Sequence, residues 1–299
     1  MLFPANQSDP TTPSQSQAPV GIFDSGVGGL SVLRAIHHLL PYESLLYCAD
    51  TAHIPYGDHS AAFVTDRTLA IGDWLVAQGV KAIVVACNTA TTQSISALRD
   101  HLTIPVIGVE PGVKPAALQS LSRVAGVLAT AGTLKSDKFQ KLAELYASNC
   151  TLICVAGVGL VEAIESGDLD SPALSNLLDS YLRPMLDAGA DTLALGCTHY
   201  PFLIPLIKQL AGDRLTIIDN SQPVAKQLER TLTTHGLLHS GSALSASGDA
   251  PNTKPAKPEL HFVTTGASHQ LARLIHIGLA LRVEVTRVTI ASSSLGCQA

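Results

Sequence analysis

Two cysteines stand in matched surroundings. Cys87 closes the apolar run Ala82–Ala86 and is followed by Asn88 and Thr89; Cys197 follows Thr192–Leu195 and Gly196 and is followed by Thr198, His199 and Tyr200. Each segment reads as an apolar strand, a small residue, the cysteine, short hydroxyl or amide side chains, and then a helix. A thiol placed there meets the unpaired amides and positive end of the helix, and both favour thiolate over an unperturbed pKa of about 8.5. The same amides suit a carboxylate ligand. Two such cysteines on opposite walls of a cleft can address one carbon from both faces. One thiolate removes a proton while the opposite thiol delivers one to the other face, which inverts the centre. Asp24 and His199 are candidates to assist proton traffic at the sulfurs.

Each of these residues also has a plainer reading. Most free cysteines are small buried apolar residues, and it is the matched pair that tips the balance. A zinc site from Cys87, Cys197 and His199 is disfavoured because structural zinc cysteines come as close pairs; Cys150 and Cys154, the only close pair, are x₃-spaced and Cys154 falls inside a strand. No metal is expected. Gly26-Val27-Gly28-Gly29 departs from G-x-G-x-x-G, so a dinucleotide loop is not expected, and the loop instead presents Asp24 and Ser25 to a small polar ligand. Asp24 can equally be a helix cap, His199 a structural histidine, and Pro55-Tyr56-Gly57 a plain turn. Glu110, before Pro111, is either a supporting carboxylate or a surface residue.

The composition bounds the setting. The chain has 299 residues, 46% hydrophobic and only 14% charged, with a net charge of −5. Such a balance implies extensive burial and gives no electrostatic reason to expect nucleic acid. The start, MLFPANQSDPTTPSQSQAP, lacks the basic and apolar regions of a signal peptide, and no apolar run reaches the roughly 18 residues of a membrane helix. A cytoplasmic location, without membrane association, is the expectation. The six cysteines (48, 87, 150, 154, 197 and 297) are then expected as thiols, with Cys297 in a frayed end and a poor catalytic candidate.

Strands and helices must alternate to hold these residues. Strands are predicted at 20–23, 45–48, 82–86, 106–109, 124–129, 152–155, 192–195, 215–218 and 259–263. Helices are predicted at 30–40, from a Ser60 cap to Gly79, and at 95–101, 135–148, 171–188, 202–211, 224–235 and 268–281. Uniformly apolar strands in alternation with helices indicate parallel sheets covered on both faces. The α/β expectation is two Rossmann-like three-layer domains with mostly parallel sheets and the active site in the cleft between them. Residues 20–116 with 225–299 form the first domain, 117–224 the second, 1–19 a disordered tail, and 236–258 a loop insertion. Ligands of such sheets bind beyond the carboxyl ends of the strands, where the two cysteines lie.

Five segments in order, DSGVGG (Asp24–Gly29), DTAHIPYG (Asp50–Gly57), ACNTATT (Ala86–Thr92), GVEPG (Gly108–Gly112) and LGCTHYPFL (Leu195–Leu203), resemble glutamate racemases over roughly residues 20–230. The resemblance implies interconversion of L- and D-glutamate with no cofactor, neither pyridoxal phosphate nor metal, and a supply of D-glutamate for peptidoglycan. It implies Cys87 and Cys197 as the acid–base residues and Asp24-Ser25, Tyr56-Gly57, Asn88-Thr89 and Thr198-His199 as substrate-binding segments. Glutamate is thus the expected small-molecule partner, and a homodimer is carried as the expected assembly. The extra residues before Val20 and the 236–258 stretch depart from the compact family pattern. An aspartate racemase of the same superfamily typically has Thr-Glu after its second cysteine, where this chain has Thr198-His199. A non-catalytic amino-acid-binding protein is the alternative from another class. A thiol-disulfide oxidoreductase would normally carry the C-x-x-C pair that is absent here.

Overall fold

The apolar runs assemble into two parallel sheets. The computed structural model describes residues 15–241 and 258–292. In chain order, β1 (Val20–Asp24), α1 (Leu30–Leu39), β2 (Leu45–Ala49), α2 (Ala61–Ala77), β3 (Ala82–Val85), α3 (Asn88–His101), β4 (Val106–Gly108) and α4 (Val113–Gln119) come first. There follow β5 (Val124–Ala129), α5 (Ala131–Lys135), α6 (Asp137–Ala147), β6 (Thr151–Ala156), α7 (Leu160–Ser166), α8 (Pro172–Asp187), β7 (Thr192–Gly196), α9 (Ile204–Ala211) and β8 (Thr216–Ile218). The chain then returns through α10 (Ser221–Thr234), β9 (Leu260–Thr264), α11 (Ser268–Leu279) and β10 (Val285–Arg287).

The first sheet has the order β10-β9-β2-β1-β3-β4 and the second β6-β5-β7-β8, with every pairing parallel. Strands β1, β2, β3 and β7 are buried along their whole length, as central parallel strands covered by helices must be. Ser60, Ser136 and Ser171 cap α2, α6 and α8 by accepting the amides of Phe63, Phe139 and Leu174, which satisfies donors that the helices cannot. One apolar cluster runs through both sheets, including Ile22 and Val84 from the first and Leu128 and Leu195 from the second. Helix α10 leaves the second sheet and packs on α1 of the first.

In each sheet the order reverses beside the strand that opens it: β1 lies between β2 and β3, and β5 between β6 and β7. Crossovers diverge at such switch points and leave a crevice beyond the carboxyl ends. Register aligns Phe23 with Val85 and Ala129 with Gly196, so Ser25 and Cys87 emerge side by side from one sheet, and Thr130 and Cys197 from the other.

Several local expectations change. Helix α3 begins at Asn88, directly after Cys87, rather than near Ile95. Its Asn-Thr-Ala-Thr-Thr start has weak helix propensity, and packing decides it instead. The short α4, α5 and α7 and the strand β10 are too brief for periodicity to reveal. The expected tail falls mainly on residues outside those described; within them, Gln15–Gln17 make a 3₁₀ turn, and Lys81 Nζ donates to the Ser16 carbonyl at 2.5 Å. Most of the 236–258 insertion and Cys297 also lie outside the described residues. Among the described residues no helix is long and apolar enough to cross a membrane.

Candidate active site

Five strand ends converge on one small cavity. From the first sheet come Ser25 after β1, Cys87, Asn88 and Thr89 after β3, and the turn Pro55–Gly57 that follows β2. From the second come Thr130 after β5, Cys197, Thr198 and His199 after β7, and Val161 of α7. The cysteines are buried, 4% and 6% exposed. The space they line measures about 10 Å³, the room of one water, so the structure is a closed form. A larger hollow of about 640 Å³, bordered by Lys135 and Lys138, adjoins it at Gly57.

The two thiols have different neighbours. Cys87 Sγ lies 3.8 Å from the Ser25 hydroxyl. Cys197 Sγ lies 3.8 Å from His199 Nδ1, and His199 Nε2 is 2.7 Å from Glu165 Oε1. That same oxygen accepts the Val27 backbone amide at 2.7 Å. Asp24 bridges in the other direction: Oδ1 accepts the Gly26 amide at 2.7 Å, and Oδ2 accepts the Thr198 hydroxyl at 2.9 Å. Thr89 and Thr130 join hydroxyls across the cleft at 2.9 Å. The loop 24–28 of one sheet is therefore bonded to Thr198 of the other and, through Glu165, to His199. Glycine permits this approach, since a Cβ on Gly28 would sit 2.5 Å from His199 Nδ1 and 2.7 Å from its backbone nitrogen.

Ten of the eleven sequence-derived candidates lie at this cavity or bond directly to its lining. Glu110 does not: it is exposed and pairs with Lys138 at 2.8 Å, which fits its surface reading. Asp24 does not cap α1, whose N-cap is Gly29 with no side-chain bond; it holds the Gly26 amide and the Thr198 hydroxyl instead. Tyr56 lines the cavity, but its hydroxyl is committed to Asp50 Oδ2 at 2.6 Å. Asn88 Nδ2 is buried and has no hydrogen-bond partner in the protein, so a donor stands ready at the thiols. Sequence reasoning missed Glu165. Its signal was the amphipathic LVEAIES of α7, seven residues that did not register as a helix.

A profile of the Asp/Glu/Hydantoin racemase family matches residues 21–228. The chain belongs to that family. By that membership it is a racemase, an isomerase by class. Curated relatives include a glutamate racemase of Ralstonia nicotianae, 58% identical over 232 residues, 78% of this chain and 84% of the relative. Among solved structures, a glutamate racemase isoform from Bacillus anthracis is 31% identical with a TM-score of 0.79, covering 92% of this chain and 98% of that one. A glutamate racemase from Francisella tularensis, solved in complex with D-glutamate, is 27% identical with a TM-score of 0.78, covering 93% and 99%.

The electrostatics of the cavity depart from one expectation. Burial, aided by the Asp24 charge, pushes the Cys87 thiol up to about 12, against the Ala90 amide and Ser25 hydroxyl that favour its thiolate. The helix N-terminus is present, as read from the sequence, but desolvation outweighs it in the closed form. Burial alone would lower His199; hydrogen bonds to Cys197 and Glu165 and the charge of Asp24 overcome it and hold the imidazole well above its usual range. Burial raises Asp24, partly countered by His199 and the Gly26 amide. Cys197 thus has a histidine braced by Glu165 beside it, while Cys87 has a hydroxyl and a carboxyl. Among the described residues no group of three or more His, Cys, Asp or Glu side chains is arranged to hold a metal ion.

Proposed function

We propose that this protein interconverts L- and D-glutamate by a two-cysteine acid–base mechanism that uses no cofactor, and so supplies D-glutamate for peptidoglycan. The observation that carries this reading is that Cys87 and Cys197 line one cavity from the ends of two different sheets. That arrangement suits two groups acting on opposite faces of an α-carbon. The names of the relatives support glutamate as the substrate, as does the D-glutamate bound by the Francisella tularensis enzyme.

In the forward direction one cysteine, as thiolate, takes the α-proton and becomes a thiol. The opposite thiol gives its proton to the other face and becomes thiolate. No proton is gained or lost overall, and the roles are exchanged for the reverse reaction. Asn88 Nδ2, Ser25, Thr89, Thr198 and the Gly57 backbone hold the carboxylates and ammonium. Burial disfavours ionising Cys87 in the closed form, and the reaction must offset that cost. A substrate ammonium beside the sulfur favours the charged form, so binding of glutamate itself helps to arm the base. His199, with Glu165 behind it, gives the Cys197 sulfur a comparable partner from the protein.

Both sulfurs must be reduced to act, which fits a cytoplasmic location. A homodimer remains part of the reading and is checked by sedimentation. The decisive test incubates purified protein with L-glutamate in D₂O without added cofactor. The expected result is loss of optical rotation with deuterium entering the α-position. Turnover of L-aspartate instead would reassign the substrate, and no exchange with either would end the catalytic reading.

A further inference from the structure

One buried charge behind the cavity wall has no part in the proposed proton chemistry. Asp50 follows β2, is fully buried, and gathers donors from four stretches of chain. Its Oδ1 accepts Arg67 Nη2 of α2 at 2.8 Å and the Thr265 hydroxyl after β9 at 2.8 Å, and lies 3.0 Å from His53 Nδ1. Its Oδ2 accepts Arg67 Nε at 3.0 Å and the Tyr56 hydroxyl at 2.6 Å. Arg67 is itself 1% exposed, and its Nη1 donates to the Ile290 carbonyl at 2.8 Å. A carboxylate offers about four lone-pair sites, so this one is saturated, and its fork-to-fork pairing with Arg67 fixes orientation as well as charge.

The Tyr56–Gly57 segment is gripped on both sides. On one side the Tyr56 ring packs on Phe23, centroids 6.1 Å apart, next to Asp24, with its hydroxyl on Asp50. On the other, Gly57 comes so close to the second sheet that a Cβ there would be 2.9 Å from Thr130 Cβ. Thr130 in turn is bonded to Thr89. A shift of this segment by a few tenths of an ångström therefore alters the width of the cleft between the two sheets.

We propose that Asp50 and Arg67 are a positioning pair: through the Tyr56 hydroxyl they set the Tyr56–Gly57 wall of the substrate site, and they tie the returning C-terminal segment to it through Thr265 and Ile290. The Tyr56 hydroxyl serves this anchor and does not reach substrate; the ring and the backbone at Gly57 form the wall. The inference rests on the glutamate reading above.

The test measures KM and kcat for both glutamate enantiomers in Asp50→Asn, Arg67→Lys and Tyr56→Phe, with thermal unfolding of each. Misplaced binding walls carry large penalties, and loss of a positioned wall shows chiefly in binding. The expected result is a roughly tenfold rise in KM in Asp50→Asn and Arg67→Lys with kcat within about threefold, and a smaller rise in Tyr56→Phe. The double variant Asp50→Asn/Tyr56→Phe should be no worse than Asp50→Asn alone, since both remove the same anchor. Lowered melting temperature with unchanged KM would make the pair merely structural and overturn the proposal. Should Asp50→Asn fail to fold, Tyr56→Phe decides alone, because it removes one oxygen and keeps the ring. Wild-type protein inactive on glutamate would instead overturn the function on which the proposal rests.

Discussion

Glu165 Oε1 lies 2.7 Å from His199 Nε2 and accepts the Val27 backbone amide at the same distance. One carboxylate oxygen on α7 thereby serves two tasks: it backs the histidine that faces Cys197, and it holds the glycine-rich loop of the other sheet against it. Closure of the cleft and the charge state of the histidine are coupled through a single atom.

Replacing Glu165 with Gln should reveal both tasks. The amide keeps an acceptor but loses the charge that supports a protonated His199. We expect kcat to fall by about ten- to a hundredfold, within the range for loss of support to an acid–base group, with the alkaline side of the pH–rate profile moved to lower pH because His199 gives up its proton sooner. Steady-state kinetics from pH 6 to pH 9 would check it; an unchanged profile would leave Glu165 with the loop alone.

Cys87→Ala and Cys197→Ala should each abolish racemisation, by about 10³-fold or more, while circular dichroism and unfolding stay near wild type. Polarimetry on L- and D-glutamate reads the loss. Full turnover in either variant would rule out the two-thiol mechanism.

Stability should also depend on pH through His199. The imidazole binds its proton more tightly folded than unfolded, where its value is near 6.5. Protonation thus stabilises the fold in full below about pH 6.5, and the contribution is lost as pH rises through the raised folded value. Wild type should lose more melting temperature between pH 6.5 and 9 than His199→Gln does. Parallel curves for the two proteins would contradict the assignment.

Gly28→Ala tests the close approach of the two loops. A methyl group 2.5 Å from His199 Nδ1 and 2.7 Å from its backbone nitrogen forces the loops apart. We expect a stability loss of about 1–3 kcal/mol, as for overpacking, and a fall in kcat/KM of about a hundredfold, as for displaced catalytic groups. Urea unfolding and kinetics measure the two effects.

Away from the site, Lys81 Nζ and Glu43 Oε2 form a buried pair at 2.5 Å, with side chains 2% and 0% exposed. Removing one partner strands a buried charge. Lys81→Met should cost about 3–5 kcal/mol, and Glu43→Gln added to it should restore a large part. Denaturant midpoints of the single and double variants give the comparison, and KM for glutamate should stay unchanged in both.

Much of this protein was legible without coordinates. The apolar runs ending in Cys87 and Cys197 marked buried parallel strands, because only strands covered on both faces are apolar at every position. The short polar residues after each cysteine marked ligand-facing strand ends. What stayed hidden has three physical causes. Glu165 sits on a helix of seven residues, too short for periodicity to register, and it matters only because tertiary packing brings it to His199 from 34 positions away. The pairing of Asp50 with Arg67 was not read at all, since a bidentate pair between separate elements leaves no trace in local spacing. The burial that raises the Cys87 thiol was hidden because helix-terminus electrostatics can be read from neighbours in sequence, whereas desolvation is a property of everything packed around the sulfur. The sequence by itself determined which residues could do the chemistry and on which strands they stand. Only the tertiary structure decided which of them meet, and how far burial shifts their protons, because both depend on contacts between segments distant in the chain.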